Sequence, residues 1–558
     1  MAEPYHVPKF GGGLNFTEHP ANLRDDEWSW ADGFIARDGY AEIPPAIYEV
    51  VPLNAWPAGY RPCGLASNPF DPLFPVLVGL LETTTGAIKL FKVNVTGTSV
   101  IEIPWDGVGT AGVGSKSTWL SSAFVGGTLV LCFGLVTGSG KFSLVRLTSD
   151  AGFTVLNTQF PRITGSLSAQ FIAPFKAHVV AALCNRGTGT VAAIRRQLAW
   201  SAVNDPTVWD AHVSNDADDV LLDDVEYGIT GLGPLSTELL GVMTQTGAHG
   251  LAATGAIPAF TRQQIDSPGM PPQTIGNDTG PLPEILWPQG LASTPHGLAY
   301  RGPDSVYLGP APIADKIFRY LVAGELNSVG MTPYVWHPLL GAVLVPRRSF
   351  GGADREVFYY HVRTQAWARR TLRVGDLTTT PTFPVARLHF AWNQESGFAQ
   401  HQGRLWILTT GGALLNEAND LEQAKAQAVD TGAFVDTKDF HFDDPNEHDM
   451  VRRIKVDWEP FTADAQLQVM VSVRNDLSRD RDGTTLFGTI AGDTLPPFVL
   501  AGILQDGASE VSCKFVGKYA RIRFQQASPA GGRFRIRGFT ILRVRAGQRK
   551  TSAPGDAP

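Results

Sequence analysis

Across nearly 400 residues the chain repeats one small pattern, a turn that runs into a short apolar strand, in most cases with a glycine. It occurs in Gly127-Thr-Leu-Val-Leu-Cys132, Glu238-Leu-Leu-Gly-Val-Met-Thr244 and Gly302-Pro-Asp-Ser-Val-Tyr-Leu-Gly309. It recurs in Val357-Phe-Tyr-Tyr-His-Val362 followed by Trp367, and in Gly403-Arg-Leu-Trp-Ile-Leu408. Each segment reads as a turn feeding an inner strand of a four-stranded blade. Repeat units of this kind run about 40–50 residues, so residues 46–425 hold roughly eight units, or six to seven where connections are long. An ordinary pair of packed sheets also alternates apolar and polar residues, but it does not so naturally repeat one turn-strand unit over this length. The expected fold is all-β: a β-propeller of about six to eight blades, with an N-terminal arm and a C-terminal antiparallel β-sandwich module.

The boundaries follow from changes in pattern. Residues 1–45 have little regular alternation but carry Tyr5, Phe10, Phe16, Trp28, Trp30, Phe34 and Tyr40. So much aromatic surface needs a docking site, so this arm is expected to wrap its own propeller or to reach a neighbour. Residues 46–428 form the propeller body and end in Leu421-Glu-Gln-Ala-Lys-Ala-Gln-Ala428, a run of strong helix formers. Period-2 strands follow at Ile454, Val456 and Trp458, at Leu467 to Val473, at Ile522 and Phe524, and at Phe534 and Ile536. Such alternation buries one face and wets the other, which defines the sandwich module at 429–546. Residues 547–558 have nothing to bury and are expected to be a flexible tail.

Gly 59 and Pro 39 in 558 residues signal many turns, and 43% hydrophobic content is ample for a packed core. No window holds the ~18 uninterrupted apolar residues of a membrane helix. The opening Met1-Ala-Glu-Pro-Tyr-His lacks a basic start and an apolar stretch, so a soluble chain without a cleaved leader is expected. Cys63, Cys132, Cys184 and Cys513 lie far apart with no C-x-x-C pair, the spacing of buried small side chains rather than of a zinc ribbon or disulfide framework. The net charge of −7 conceals an asymmetry: eleven Lys or Arg and no Asp or Glu lie between Val511 and Lys550. A basic end on an acidic body suits nucleic acid or the acidic surface of a like chain.

Tests for catalytic chemistry fail. Gly138-Ser-Gly140-Lys141-Phe142 has Leu135 where a phosphate loop needs its first glycine, and Phe142 replaces the metal-binding hydroxyl. Ser478-Arg-Asp480-Arg-Asp482-Gly483-Thr484-Thr485 resembles the Asp-box turn of sialidases but has one residue too many before the glycine and no closing Trp. Asp-Gly is also a favoured hairpin turn. Neither G-x-S-x-G nor H-E-x-x-H occurs. His441, Asp443, Asp444, His448 and Asp449 are ligand types without the spacing of any one metal, and read as a polar loop. No catalytic residue, metal ligand or cofactor is expected.

Two charged groups remain. Asp216, Asp218, Asp219, Asp223, Asp224 and Glu226 form the densest acidic cluster, but Leu221 and Tyr227 stand where an EF-hand needs Gly and Glu. A solvated loop, a lumen or subunit-contact surface, and a cation site all remain open. In Arg521-Ile-Arg523 and Arg533-Phe-Arg535-Ile-Arg537 every second residue is Arg, so five guanidiniums are expected on the wet face of a sheet. Their uses are a subunit or sheet-sheet contact through carboxylates, a solvated face, or DNA phosphate.

The opening Phe10-Gly-Gly-Gly-Leu-Asn15, the step Arg24-Asp-Asp-Glu27, and the segment Trp200-Ser201 to Asp205-Pro206 to Trp209 resemble the tail-tube, or nozzle, family of short-tailed bacteriophages. That family is itself similar to phage packaged-DNA stabilisation proteins. Gly255-Ala-Ile-Pro-Ala-Phe260 and Gly517-Lys-Tyr519-Ala-Arg521-Ile-Arg523-Phe524 are similar too, in the family's order. The resemblance implies a propeller with added β modules, assembled as a homo-oligomeric ring of normally six copies below the ring-shaped head-tail adaptor. The bore would conduct non-specific double-stranded DNA, inner loops would gate it, and the outside would anchor fibres or spikes. Such a protein is made in the host cytoplasm, resides in the virion, and meets the host envelope only at infection. The family has no catalytic residues to carry over, and the shortness of this chain puts any extra distal domain in doubt. Rival readings are a secreted glycan-binding or glycan-hydrolysing propeller and a peptide-binding propeller scaffold.

Overall fold

The computed structural model describes residues 4–52, 55–82, 84–95, 99–107, 121–133, 144–156, 169–183, 196–209, 216–222, 228–270, 290–322, 334–347, 356–372, 385–394, 401–409, 412–417, 433–441, 449–461, 465–474, 499–505, 508–527 and 532–545. The chain divides into two compact units. A central unit holds Ile47–Val357 and Pro381–Asn419; a terminal unit holds Met1–Ala46, Phe358–Thr380 and Asp420–Pro558.

Seven four-stranded sheets follow one another along the chain. Their first strands are Tyr60–Ser67, Ser121–Val125, Ala169–Phe175, Ile229–Pro234, Leu291–Thr294, Val335–His337 and Val385–Gln394. Each first strand touches that of the next sheet, and the seventh touches the first. The fold is a seven-bladed β-propeller. Its last blade takes Val385–Gln394, His401–Thr409 and Leu414–Glu417 from the end of the body and Ile47–Val51 from its beginning. That closing pair is antiparallel, with Glu417 opposite Ile47 and Leu414 opposite Val51.

All five turn-strand motifs land on an inner strand, second or third in its sheet. Their composition follows from position, because an inner strand lies between two neighbouring blades and is dry on both faces. All five residues of Thr128–Cys132 are buried, whereas the fourth strand Asp218–Leu221 has none fully buried. One face of the second blade joins Leu129, Leu131 and Leu147 to Leu77, Leu81 and Leu90 of the first. The other joins Val130, Cys132 and Leu144 to Val179, Ala181 and Ala199 of the third. Each such leucine or valine contributes about 1.5–3 kcal/mol of burial. Gly126 and Gly127 turn the second hairpin with φ of 55° and 77°. A Cβ on Gly126 would overlap the Asn204 carbonyl at 1.9 Å.

The terminal unit has two six-stranded sheets. One orders Glu510–Gly517, Asp449–Pro460, Phe534–Arg545, Tyr40–Glu42 and Ile35–Arg37, with Tyr5–Val7 also on Phe534–Arg545. The other orders Val499–Leu504, Leu467–Arg474, Tyr519–Gln526, Phe434–Asp436 and Trp30–Asp32, with Phe440–His441 also on Tyr519–Gln526. The aromatic N-terminal residues thus dock among C-terminal strands. Phe10, Trp28 and Phe34 are fully buried, and Phe10 meets Phe524 and Phe539 edge-on with ring centroids 5.6 and 5.2 Å away. Among the described residues, no helix is long and apolar enough to cross a membrane. The helical run expected at 421–428 lies outside them.

Candidate functional site

In the central unit a groove of about 830 Å³ opens between the third and fourth blades. Its first wall is a hairpin between Ala169–Phe175 and His178–Leu183, where Lys176 and Ala177 take left-handed φ of 48° and 63°. Asn204, at φ 57°, donates its N–H to the Ala177 carbonyl at 2.8 Å and pins the segment after Trp200 over that hairpin. The Ser201 hydroxyl accepts from Val179 N–H at 3.0 Å and donates to the Ala202 carbonyl at 3.1 Å. Asp205 closes a turn by accepting from Thr207 N–H and Oγ1, at 2.9 and 2.6 Å. Trp209 donates Nε1–H to the Pro206 carbonyl at 2.7 Å. The Trp200-to-Trp209 segment is therefore a self-bonded turn tied to its own blade.

The other wall is Thr254 to Phe260, where Thr254 Oγ1 donates to the Pro258 carbonyl at 2.6 Å. Phe260 closes the floor against Trp200 and His178, with centroids 5.3 and 4.9 Å away. Asp216 lies at the centre. Its Oδ1 accepts Val203 N–H at 2.9 Å, its carbonyl accepts Trp200 Nε1–H at 2.8 Å, and its Oδ2 lies 3.6 Å from His178 Nε2. At the rim Lys176 pairs with Glu238 at 2.6 Å. Val203 and Ile257 are exposed large aliphatics, Ile257 to 63%.

Two more segments of the resemblance meet in the terminal unit. Gly13–Leu14 pairs parallel with Glu27–Trp28, and Gly12 N–H donates to the Asp26 carbonyl at 2.9 Å. Buried Glu27 accepts from Asn15 Nδ2 at 3.2 Å and from Arg24 N–H at 3.0 Å. A Cβ on Gly12 would meet the Asp26 carboxyl at 2.7 Å.

The arginine stripe is not where the alternation placed it. Arg521, Arg523 and Arg533 are buried rather than wet. Arg521 grips Asp439 through Nε and Nη2 at 2.7 and 3.0 Å, both side chains fully enclosed. Arg523 grips Asp436 at 2.6 and 2.7 Å and lies over the Phe434 ring at 3.9 Å. Arg533 donates to the Ile43 carbonyl at 3.1 Å and to Glu42 at 3.2 Å. A buried guanidinium requires a carboxylate partner, and each finds one within the terminal unit. Arg535 and Arg537 are partly exposed and converge on Glu459. Their hydrogen bonds hold that carboxyl below its ordinary range.

Of the acidic cluster, Asp216, Asp218 and Asp219 are described and each is partly buried. Asp219 accepts from Gln197 across the sheet. Asp223, Asp224 and Glu226 lie outside the described residues, as do the segments 138–142 and 478–485, and Asp443, Asp444 and His448. Among the described residues no three His, Cys, Asp or Glu side chains gather as a metal site. Cys63, Cys132 and Cys513 are buried, and burial pushes the Cys63 thiol up to about 12. Cys184 is not among the described residues.

No protein-family profile and no curated protein matches the chain. Among solved structures, it is similar to virginiamycin B lyase from Staphylococcus aureus, with TM-score 0.36, 10% identity, and coverage of 66% of this chain and 98% of that one. YCF48 from Cyanidioschyzon merolae gives 0.32 and 11%, covering 67% and 98%. The WD40 domain of Toxoplasma gondii coronin gives 0.33 and 11%, covering 69% and 87%.

Proposed function

We propose that the chain is a non-enzymatic structural protein of a short-tailed phage virion, a nozzle subunit that assembles into a ring below the head-tail adaptor and conducts double-stranded DNA. One observation carries this reading: separate segments that resemble that family are partners in space. Gly12 to Asn15 bonds to Asp26 and Glu27, while Val203 shares the groove with Gly255 to Phe260 and Trp200 packs on the Phe260 ring. Resemblance scattered by chance over isolated surface positions has no reason to gather into two bonded sites.

The charge supports the same reading. A chain with net charge −7 suits a conduit, because weak phosphate contacts let a polyanion slide past rather than hold it. The most concentrated cations are already occupied by carboxylates of the terminal unit. The test is electron microscopy of intact particles carrying this gene, with antibody against the chain. Label in a ring at the tail, coaxial with the DNA path, is expected. A particle without label overturns the proposal.

A further inference from the structure

The turn between the first two strands of the sixth blade is closed by a histidine ring. His337 ends Val335–His337, and the chain turns through Pro338 to Gly341 before Ala342–Pro346. The turn's own backbone link, from Gly341 N–H to the Pro338 carbonyl, is long at 3.4 Å. A shorter bond reaches the ring: Leu340 N–H donates to His337 Nδ1 at 3.2 Å. A ring nitrogen that accepts carries no hydrogen, so the hydrogen of this ring is on Nε2. There it is donated to Glu417 Oε2 at 2.7 Å, and the two side chains are only 2% and 4% exposed.

These two bonds make opposite demands on the ring. Glu417 attracts a positive charge. A second proton has only Nδ1 to occupy, where it would face the Leu340 N–H, donor against donor. A buried donor without an acceptor is costly, so a charged ring and a closed turn exclude each other. Other charge does not intrude among the described residues. Ala342–Pro346 and Leu291–Thr294, which pack on Val335–His337, carry no titratable side chain. Val385–Gln394 also packs there through Phe390, whose ring centroid is 4.9 Å from that of His337. Its Arg387 and His389 alternate onto the opposite face, where His389 bonds Ser67 of the first blade and Arg387 acts on Cys63. His296, in the turn of the fifth blade, meets the Trp336 ring at 6.1 Å.

We propose that His337 is an acid-operated latch: the neutral ring holds the Pro338–Gly341 turn closed, and a second proton releases the turn while the ring keeps its bond to Glu417. The sign follows from linkage. Only the open form takes up the proton, so closure is complete at high pH and is lost as pH falls. The turn carries Leu339, which is half exposed, and Phe390 relays the contact to exposed Trp392 at 5.3 Å. Acid therefore reshapes an apolar end of the propeller without unfolding the blade. The latch belongs to the single chain and is independent of the proposed ring assembly.

The test uses the full-length chain. With ¹⁵N-labelled histidine, the ring signal that Glu417→Gln moves most reports His337. At about pH 8 it is expected as the neutral ring with hydrogen on Nε2, and at about pH 5 as the doubly protonated ring. Hydrogen exchange across Pro338–Gly341, corrected for the intrinsic effect of pH, should speed by about tenfold over the same range, the worth of one hydrogen bond. His337→Asn offers Oδ1 in place of Nδ1, an acceptor that takes no proton at these pH values, so exchange in the turn should lose its pH dependence. Glu417→Gln keeps an acceptor for Nε2 but removes the charge, and should move the midpoint of opening down by at least about one pH unit. It decides the matter alone if His337→Asn does not fold. A ring already doubly protonated at about pH 8 overturns the proposal, as does one still neutral at about pH 5. So does an opening midpoint that Glu417→Gln leaves in place, or acid opening of the turn that persists in folded His337→Asn.

Discussion

The central and terminal units use the same strands and turns but solve opposite problems. In the first five blades, all within the central unit, every strand pairs with one close to it in sequence, and the cores between blades are almost wholly aliphatic and aromatic. In the terminal unit Tyr5 pairs opposite Ile541 and Glu42 opposite Arg535, and two arginine–carboxylate forks lie in the interior. Local hairpins find their register from the turn. Strands drawn from both ends of a chain have no such guide. A slip of one residue would carry Arg521 and Arg523 away from Asp439 and Asp436 and leave buried charges unpaired, so the forks favour a single register. The difference teaches that oily packing suffices where the chain is its own ruler, and that polar links mark position where it is not.

The most damaging way to break this contrast is to remove a carboxylate from a buried fork. Asp439→Ala is expected to cost about 3–5 kcal/mol, read from urea unfolding, with hydrogen exchange rising throughout both six-stranded sheets. A cost under about 1 kcal/mol, the range of exposed pairs, would erase the distinction. A cavity in a blade should cost about 2–5 kcal/mol but act locally. For Leu131→Ala, faster exchange is expected in the first and second blades, and exchange spreading evenly over all seven would contradict local packing.

Acid sharpens the comparison at the ring closure. His389, on the first strand of the seventh blade, bonds Ser67 of the first at 2.9 Å, and burial pushes its pKa down from 6.5 to about 4. The unfolded chain therefore takes up this proton first. Stability from this group is intact above 6.5, falls as pH drops toward about 4, and is flat below. His389→Gln should flatten that part of the pH–stability curve, and an unchanged slope would assign the acid sensitivity elsewhere. Smaller still, Cys63 should resist iodoacetamide at pH 8 until denaturant is added, as peptide mapping by mass spectrometry would show. The least effect is expected on the surface, where Glu459→Gln should leave the urea midpoint unchanged despite its two arginine partners.

The propeller was legible in the sequence because each blade repeats the same local requirement. Turn glycines such as Gly127 precede strands that are dry on both faces, and their spacing gave a range of six to eight units, within which the seven blades fall. The arginine stripe was misread for the same reason in reverse. Alternation in Arg521-Ile-Arg523 correctly separates two faces, but whether a face is wet depends on what covers it. Asp436 and Asp439, more than eighty residues upstream, are invisible to any local window. The groove was legible only in fragments. Trp200 to Trp209 and Gly255 to Phe260 were noticed as separate segments, and Asp216 as part of an acidic cluster. His178 carried no signal at all, since its importance comes from a carbonyl on one side and a carboxylate on the other.

The clasp between Ile47–Val51 and the last blade has a consequence for how the protein is made. The ribosome delivers that strand first, yet its partner Leu414–Glu417 emerges more than 360 residues later, and the strand at Tyr5–Val7 waits longer still for Phe539 to Ile541. A translation product that stops early therefore carries an unzipped edge and an undocked aromatic arm, the features by which proteases and chaperones single out a chain. Neither unit is finished until its distant partner strand has been made, so the architecture acts as its own inspection of completeness.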